Sequence, residues 1–190
     1  MSKKKKFLLI VLLAIFLPIV IIIIWTSLNH YHLPSFEGKV IDSDTKEPIK
    51  AAAVLAIYYR TVYTIAGSNS YPFDAQEART NANGEFKIAE KSGWFGEISG
   101  WALAKLVIFK PGYGIFPSHH KSKAIDTSKT WPEPNKYTVY EMAQLKTVKE
   151  RKANLHLVML FDMPYSKRRY FTTLVNEELT SLGLQPYSIQ

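Results

Sequence analysis

The run FLLIVLLAIFLPIVIIIIW, Phe7 to Trp25, carries no charged residue. As an α-helix rising 1.5 Å per residue it reaches about 28 Å, close to the thickness of a bilayer's hydrocarbon core. Lys3 to Lys6 stand directly before it, so the positive-inside rule predicts a cytoplasmic N-terminus with everything after Trp25 on the far side. Trp25 and Tyr31 suit the aromatic belt of a membrane interface. Pro18 falls inside the run, where membrane helices tolerate it better than soluble ones. The expectation is a basic cytoplasmic segment over 1–6, an uncleaved signal-anchor held in the lipid bilayer over 7–25, and a juxtamembrane linker over 26–35. The alternative is a cleaved secretory signal, but such signals have a shorter apolar region and end in a small-x-small site, and no A-x-A pattern follows here. Either way the rest of the chain is exported. The implied location is a bacterial inner membrane, crossed once, with a periplasmic domain, or the secreted fraction if the segment is cleaved.

The formal charge of +8 would ordinarily suggest an anionic partner, but four of those charges are the lysines that set topology. The remainder shows no clustered arginine stripe and no zinc-finger spacing, which argues against nucleic acid as a partner. With no cysteine, disulfides, thiolate metal sites, a cysteine nucleophile and a lipid-modified cysteine are all excluded. His30 and His32, at i and i+2, point to one side of an extended chain. Two imidazoles without a third ligand read as a polar collar rather than a metal site. His119 and His120, beside lysines, read as solvated surface for the same reason. No cofactor is expected.

After Phe36 the chain reads as short strands separated by turn residues. FEGKVID predicts a strand, closed by a turn at Asp42, Asp44 and Pro48. Ala51 to Thr64 is rich in β-branched and aromatic residues and predicts a long strand, though its alanine-rich start also suits a helix. Gly67 to Pro72, GSNSYP, reads as a break. In ARTNANGEFKIAE, Ala78 to Glu90, the Asn81–Gly84 corner predicts a β-hairpin, with Gly84 at positive φ and Phe86 anchored in the core. Oxygens of Asn81, Asn83 and Glu85 resemble calcium ligands, but the carboxylates and closing glutamate of an EF-hand loop are lacking. Leu103 to Lys110 predicts a core strand ending in a turn at Pro111, Gly112, Tyr113 and Gly114. The stretch through Pro134 reads as a long surface loop and Tyr137 to Met142 as a last strand.

Taken in order, GKVID from Gly38, KEPIKAAAV from Lys46, ARTNANGEF from Ala78 and LVIFKPGY from Leu106 resemble the carboxypeptidase regulatory-like domain. The resemblance covers roughly Phe36 to Met142. It implies a mainly β fold, a transthyretin-like Greek-key β-sandwich of seven or eight strands, and by itself no catalysis. Two departures stand out: Asn81 where the family pattern has Asp, and an inserted KSGWFGEISGW. RTNANG is also similar to a stretch of the transthyretin-like hydroxyisourate hydrolases. Their terminal Y-R-G-S and their H-V-L-D motif have no counterpart here, however, so that activity is a distant third reading. A zinc carboxypeptidase is excluded because no histidine opens an H-x-x-E pattern, and a serine hydrolase lacks its G-x-S-x-G elbow.

The domain is expected over 36–145 and a helical extension over 146–190. Val148, Arg151, Lys152, Leu155, Val158 and Met159 can share a helical face, although LHLVMLF also suits a strand, so 147–161 stays open between the two. Asp162-Met163-Pro164 reads as a break able to cap a second helix, Ser166 to Leu182. Its stripe of Tyr170, Phe171, Leu174, Val175, Leu179 and Leu182 predicts docking on the domain, and Gly183 stops it.

The candidate contact residues are Trp94, Phe95 and Trp101 in the inserted segment and Trp131 in the other long loop, because loop aromatics stack on sugars or fill partner pockets. Gly84, Phe86, Gly112 and Tyr113 are expected to be structural turn residues. These features point to a non-enzymatic, membrane-anchored interaction or structural module of the cell envelope, with an envelope protein or glycan as partner. The alternative is a carbohydrate- or peptide-binding module that uses the Trp-bearing loops.

Overall fold

A computed structural model describes residues 3–64, 67–94, 103–126, 133–158 and 163–188. It opens with helix α1 (Lys3–Asn29), whose Lys4–Thr26 stretch contains an 18-residue window of mean hydropathy 3.6 and is long and apolar enough to cross a membrane. The chain then turns directly into strand β1 (His30–Leu33), so the expected linker over 26–35 is helix followed by strand. Alternation explains the strand. Leu33 is fully buried and Tyr31 packs on the core, while His30 and His32 face water.

The body is mainly β. Strands β2 (Phe36–Asp42), β3 (Ala53–Thr64), β4 (Gly67–Arg79), β5 (Glu85–Ile88), β6 (Lys91–Trp94), β7 (Leu103–Phe109), β8 (Lys123–Ala124) and β9 (Tyr137–Met142) build one sheet in the order β5-β2-β9-β8 and another in the order β4-β3-β7, with β1 and β6 paired as a separate ribbon. β2 and β9 run parallel, Glu37 opposite Tyr137 through Asp42 opposite Met142. Parallel neighbours need a long crossover, and here the connection between them includes the whole second sheet.

The two sheets meet face to face. Phe36, Val40, Phe86 and Tyr140 from one pack against Val54, Ala56, Tyr58 and Ile108 from the other. The opposite face of β3, with Ala53, Leu55 and Ile57, is covered by Phe171, Leu174, Val175 and Leu179 of helix α3 (Arg169–Ser181). Hence every residue from Ala53 to Tyr58 is buried. A strand covered on both faces has no reason to alternate, which accounts for the unbroken apolar run that also suited a helix.

Several expectations are corrected. Gly67 to Pro72 is no break: it forms the first half of β4 and pairs with Tyr59 to Thr64. Pro72 is accommodated because β4 is the outer strand of its sheet, beside a register shift at Tyr58 and Tyr59. The Asn81–Gly84 corner is not a hairpin, since it carries the chain from β4 in one sheet to β5 in the other. Its local chemistry is nonetheless that of a tight turn. Asn81 Oδ1 accepts from the amides of Asn83 and Glu85, both at 2.9 Å. Gly84 has φ +75°, and a Cβ there would collide with the Val40 carbonyl oxygen, while Phe86 is buried. The stretch before Pro134 is partly core, with Ile115 and Phe116 buried and Phe116 bridged to Ile108 of β7.

Helix α2 (Val148–Leu157) forms where a helix or a strand was expected, opened by a capping box between Thr147 and Glu150. Its inward residue is Asn154, whereas Val148 is exposed and Val158 already extended; Met159 lies outside the described residues. Asn154 accepts from the Ile115 amide at 2.9 Å and donates to the Tyr113 carbonyl at 3.1 Å. Asn154 thus adds polar docking to the part of the expected stripe that does pack, Leu155 lying partly buried against the core under α3 and Val158 buried in it. Pro164 precedes a short 3-10 turn, Tyr165–Lys167, and α3 starts only at Arg169.

Gly84→Ala should destabilise the domain by about 1–3 kcal/mol, the cost of holding a Cβ-bearing residue in the left-handed region, with the collision adding to it. Urea unfolding of the detergent-solubilised chain checks this: the midpoint falls while the slope stays constant.

Candidate functional site

The chain leaves the apolar helix at the same end of the domain that carries Trp94. In the β1–β6 ribbon His30 stands opposite Trp94, Tyr31 opposite Gly93 and Leu33 opposite Lys91. Trp94 is 62% exposed and meets the His30 ring edge-on, centroids 5.3 Å apart. Beneath, Tyr31 lies across Gly93, where a Cβ would collide with its ring, and its own ring meets Phe73 of β4 at 5.5 Å. His32 is held by Ser92 Oγ at 3.0 Å and lies 3.7 Å from the Glu90 carboxylate. The ribbon is thus bolted at one side and presents a tryptophan at the other.

The bolt is a buried carboxylate. Asp74 of β4 receives Lys91 of β6 at 2.6 Å and Lys167 of the 3-10 turn at 2.9 Å, along with its neighbour's amide, Ala75 N, at 2.9 Å. Burial by itself would raise its pKa, but hydrogen bonds and charge from the two lysines outweigh it and hold the carboxyl below the ordinary value. The hydrogen bond to Asp74 correspondingly raises the pKa of Lys91. Close by, Tyr58 donates to the Pro34 carbonyl at 3.3 Å and accepts from Gln76 at 3.2 Å, and desolvation pushes its phenol up to about 12.

Two further carboxylates do comparable work. Helix α3 has no side-chain cap of its own, and its Tyr170 and Phe171 amides donate to the two oxygens of Glu77 at 3.0 and 3.1 Å. A carboxylate there satisfies orphan N–H groups and complements the helix dipole. Glu178, on the buried face of α3, takes a two-pronged contact from Arg151 of α2 at 2.8 and 2.5 Å. That position falls within the apolar stripe of α3, which is the sequence signal that could have flagged it.

At the far end a cavity of about 340 Å³ is lined by His119, His120, Lys121, Gln144, Glu150 and Asn154, among others. Burial, then the neighbouring His120 and Lys121, hold His119 below the ordinary imidazole pKa, favouring its neutral form. Glu150 there accepts from the Lys146 and Thr147 amides and the Thr147 hydroxyl, and Asn154 already serves two backbone groups. The cavity's carboxylate and amide are therefore engaged in holding α2 in place. Among the described residues no group of three or more His, Cys, Asp or Glu stands close enough to hold a metal ion.

Of the residues expected to contact a ligand, Trp94 stands exposed on the ribbon, while Phe95, Trp101 and Trp131 lie outside the described residues. Gly112 has φ +80°, and Tyr113 packs partly against the core and bridges to Gln144. The carboxylates at 74 and 77 escape sequence reasoning, because their roles depend on residues distant in the chain. Comparison with protein-family models, curated proteins and solved structures finds no match to this chain.

Because the Asp74 carboxyl titrates lower folded than unfolded, its contribution is present above the unfolded carboxylate pKa of about 3.9 and is lost as pH falls through the lower folded value. Asp74→Asn should therefore lower stability at neutral pH and flatten the loss seen below about pH 4. Urea midpoints of both proteins from pH 7 to pH 3 check it.

Proposed function

We propose that this chain is a membrane-anchored, non-enzymatic interaction module of a cell envelope, a stand-alone relative of the carboxypeptidase regulatory-like domain. The observation that carries the reading is the placement of Trp94. It is a large, exposed aromatic on a ribbon that begins at the end of the apolar helix and is fixed to the domain by Tyr31, Leu33 and the Asp74–Lys91 pair. Exposed aromatics on rigid elements are the anchors by which protein interfaces gain most of their affinity. The engagement of the carboxylates at 74, 77, 150 and 178 supports a scaffold rather than a catalyst, since each already holds the fold together.

The family reading draws on the order of the landmarks. Gly38 lies in β2, where a Cβ would collide with the Thr138 carbonyl of β9, Gly84 and Phe86 form the corner between sheets, and Gly112 and Tyr113 close β7. Two facing sheets with these residues in β2 and at the strand connections support the transthyretin-like reading. The lysines in the first turn of α1, Lys3 to Lys6, favour an anchor with its N-terminus in the cytoplasm and the domain in the periplasm of a bacterial cell. The runner-up, a carbohydrate-binding module, draws on the same Trp94, whose face beside His30 offers a stacking platform for a sugar ring.

Affinity capture of the tagged full-length protein from its native membranes tests this. Trp94→Ala should reduce recovery of an envelope protein about tenfold or more, as loss of an interface anchor does, and leave the unfolding midpoint unchanged because the side chain faces water. Recovery of glycan in place of protein would move the assignment to the runner-up. Equal recovery by both proteins would leave Trp94 without a role in binding.

A further inference from the structure

Beyond the sandwich, β3 and β4 continue as a two-stranded hairpin. β7 pairs with β3 only from Ala53 to Tyr59, whereas β4 stays paired from Arg79 down to Gly67. The pairs Arg60–Tyr71 through Thr64–Gly67 therefore project as a ribbon of about 17 Å. Residues 60–71 contain Arg60 and no acidic residue. Gly67 to Tyr71 are all exposed, Tyr71 by 51%, and Thr61 and Ser70 join their hydroxyls across the strands at 3.0 Å.

Its direction follows from contacts at its base. Lys91, the partner of Leu33 in the β1–β6 ribbon, meets Asp74 of β4, and Tyr31, two residues nearer α1, meets Phe73. Moving along β1 toward the apolar helix thus moves along β4 toward the hairpin's tip. From Tyr31 back to Thr26, the end of the apolar stretch, the chain spans at most about 11 Å, two strand residues and three helical ones. From Phe73 to Gly67 the hairpin extends about 20 Å in the same sense. So short a tether leaves the hairpin no room to stand clear of the surface from which α1 emerges.

We propose that the projecting hairpin, Arg60–Val62 with Gly67–Tyr71, docks on the headgroup layer of the bilayer that α1 crosses, with an anionic lipid surface as its ligand. The inference rests on the anchor reading. Tyr71 supplies an amphipathic ring of the kind enriched at membrane interfaces, Arg60 supplies charge complementary to anionic headgroups, and the absence of Asp and Glu from 60–71 removes the repulsion that such a surface would otherwise exert. Docking gives the domain a second attachment besides its tether, and so fixes its orientation relative to the membrane plane.

The chain has no cysteine, so single nitroxide labels can be placed cleanly. Full-length Asn69→Cys, Glu47→Cys and Ile15→Cys proteins are labelled and reconstituted in vesicles of phosphatidylcholine with phosphatidylglycerol. The relative accessibility of each label to oxygen and to a water-soluble nickel chelate is then read by power saturation. Expected is a label deep in hydrocarbon at Ile15, a fully aqueous label at Glu47 in the distal turn, and an oxygen-to-nickel ratio at Asn69 several-fold above that at Glu47. If Ile15 is in lipid but Asn69 matches Glu47, the docking is overturned and the anchor stands. If Ile15 is as aqueous as Glu47, the anchor reading falls and the docking with it. An aqueous Asn69 label whose spectrum narrows on dilution with unlabelled chain would assign the hairpin to a second copy, and would equally overturn the lipid assignment.

Discussion

Ala53 to Tyr58 of β3 lie sealed between a four-stranded sheet and a helix, and much of the rest of the fold follows from covering both their faces. Backbone groups there are satisfied because β4 and β7 pair on either side. Side chains of one parity pack on Phe36, Val40 and Tyr140, and those of the other on α3. At roughly 25 cal/mol per Å² of apolar surface removed from water, stripping away either layer would expose the side chains of a whole sheet face. The C-terminal helix is accordingly a layer of the domain, not an appendage to it.

Charged groups act as ties between layers. Glu77 of β4 caps α3, Glu178 of α3 holds Arg151 of α2, and Asp74 of β4 joins β6 to the 3-10 turn that leads into α3. Each links elements that the chain visits far apart, and for Asp74 and Glu178 removing the cationic partner strands a buried charge. Such ties fix register and orientation where apolar burial alone is indifferent to direction. The same logic gives Trp94 its prominence, because it stands on a ribbon whose inner side is fastened while its own ring stays in water.

The sequence carries much of this in local form. The nineteen uncharged residues from Phe7, the long strand after Ala51, the positive φ of Gly84, the burial of Phe86 and the docked stripe of α3 all follow from propensity, turn chemistry and periodicity. What is not legible depends on partners distant in sequence. Turn chemistry at Asn81–Gly84 gives the bend but not which sheet the next strand joins. GSNSYP has the composition of a break, yet it is strand because β3 provides a ladder and the outer position tolerates Pro72. Apolar periodicity shows only part of the docking face of α2, because beside Leu155 the residue buried most deeply is the polar Asn154. Asp74 and Glu77 look like surface charges until Lys91, Lys167 and the start of α3 are brought to them.

Two sheets and a helix form one cooperative unit around β3, and native-state hydrogen exchange on the reconstituted chain tests that most directly. Amides of Ala53 to Tyr58 and those of the α3 interior are expected to exchange together, in the slowest class and with the same denaturant dependence. If α3 opened in a separate, much faster class while β3 kept its protection, the helix would be an accessory on a self-sufficient sandwich, and the three-layer unit would be disproved.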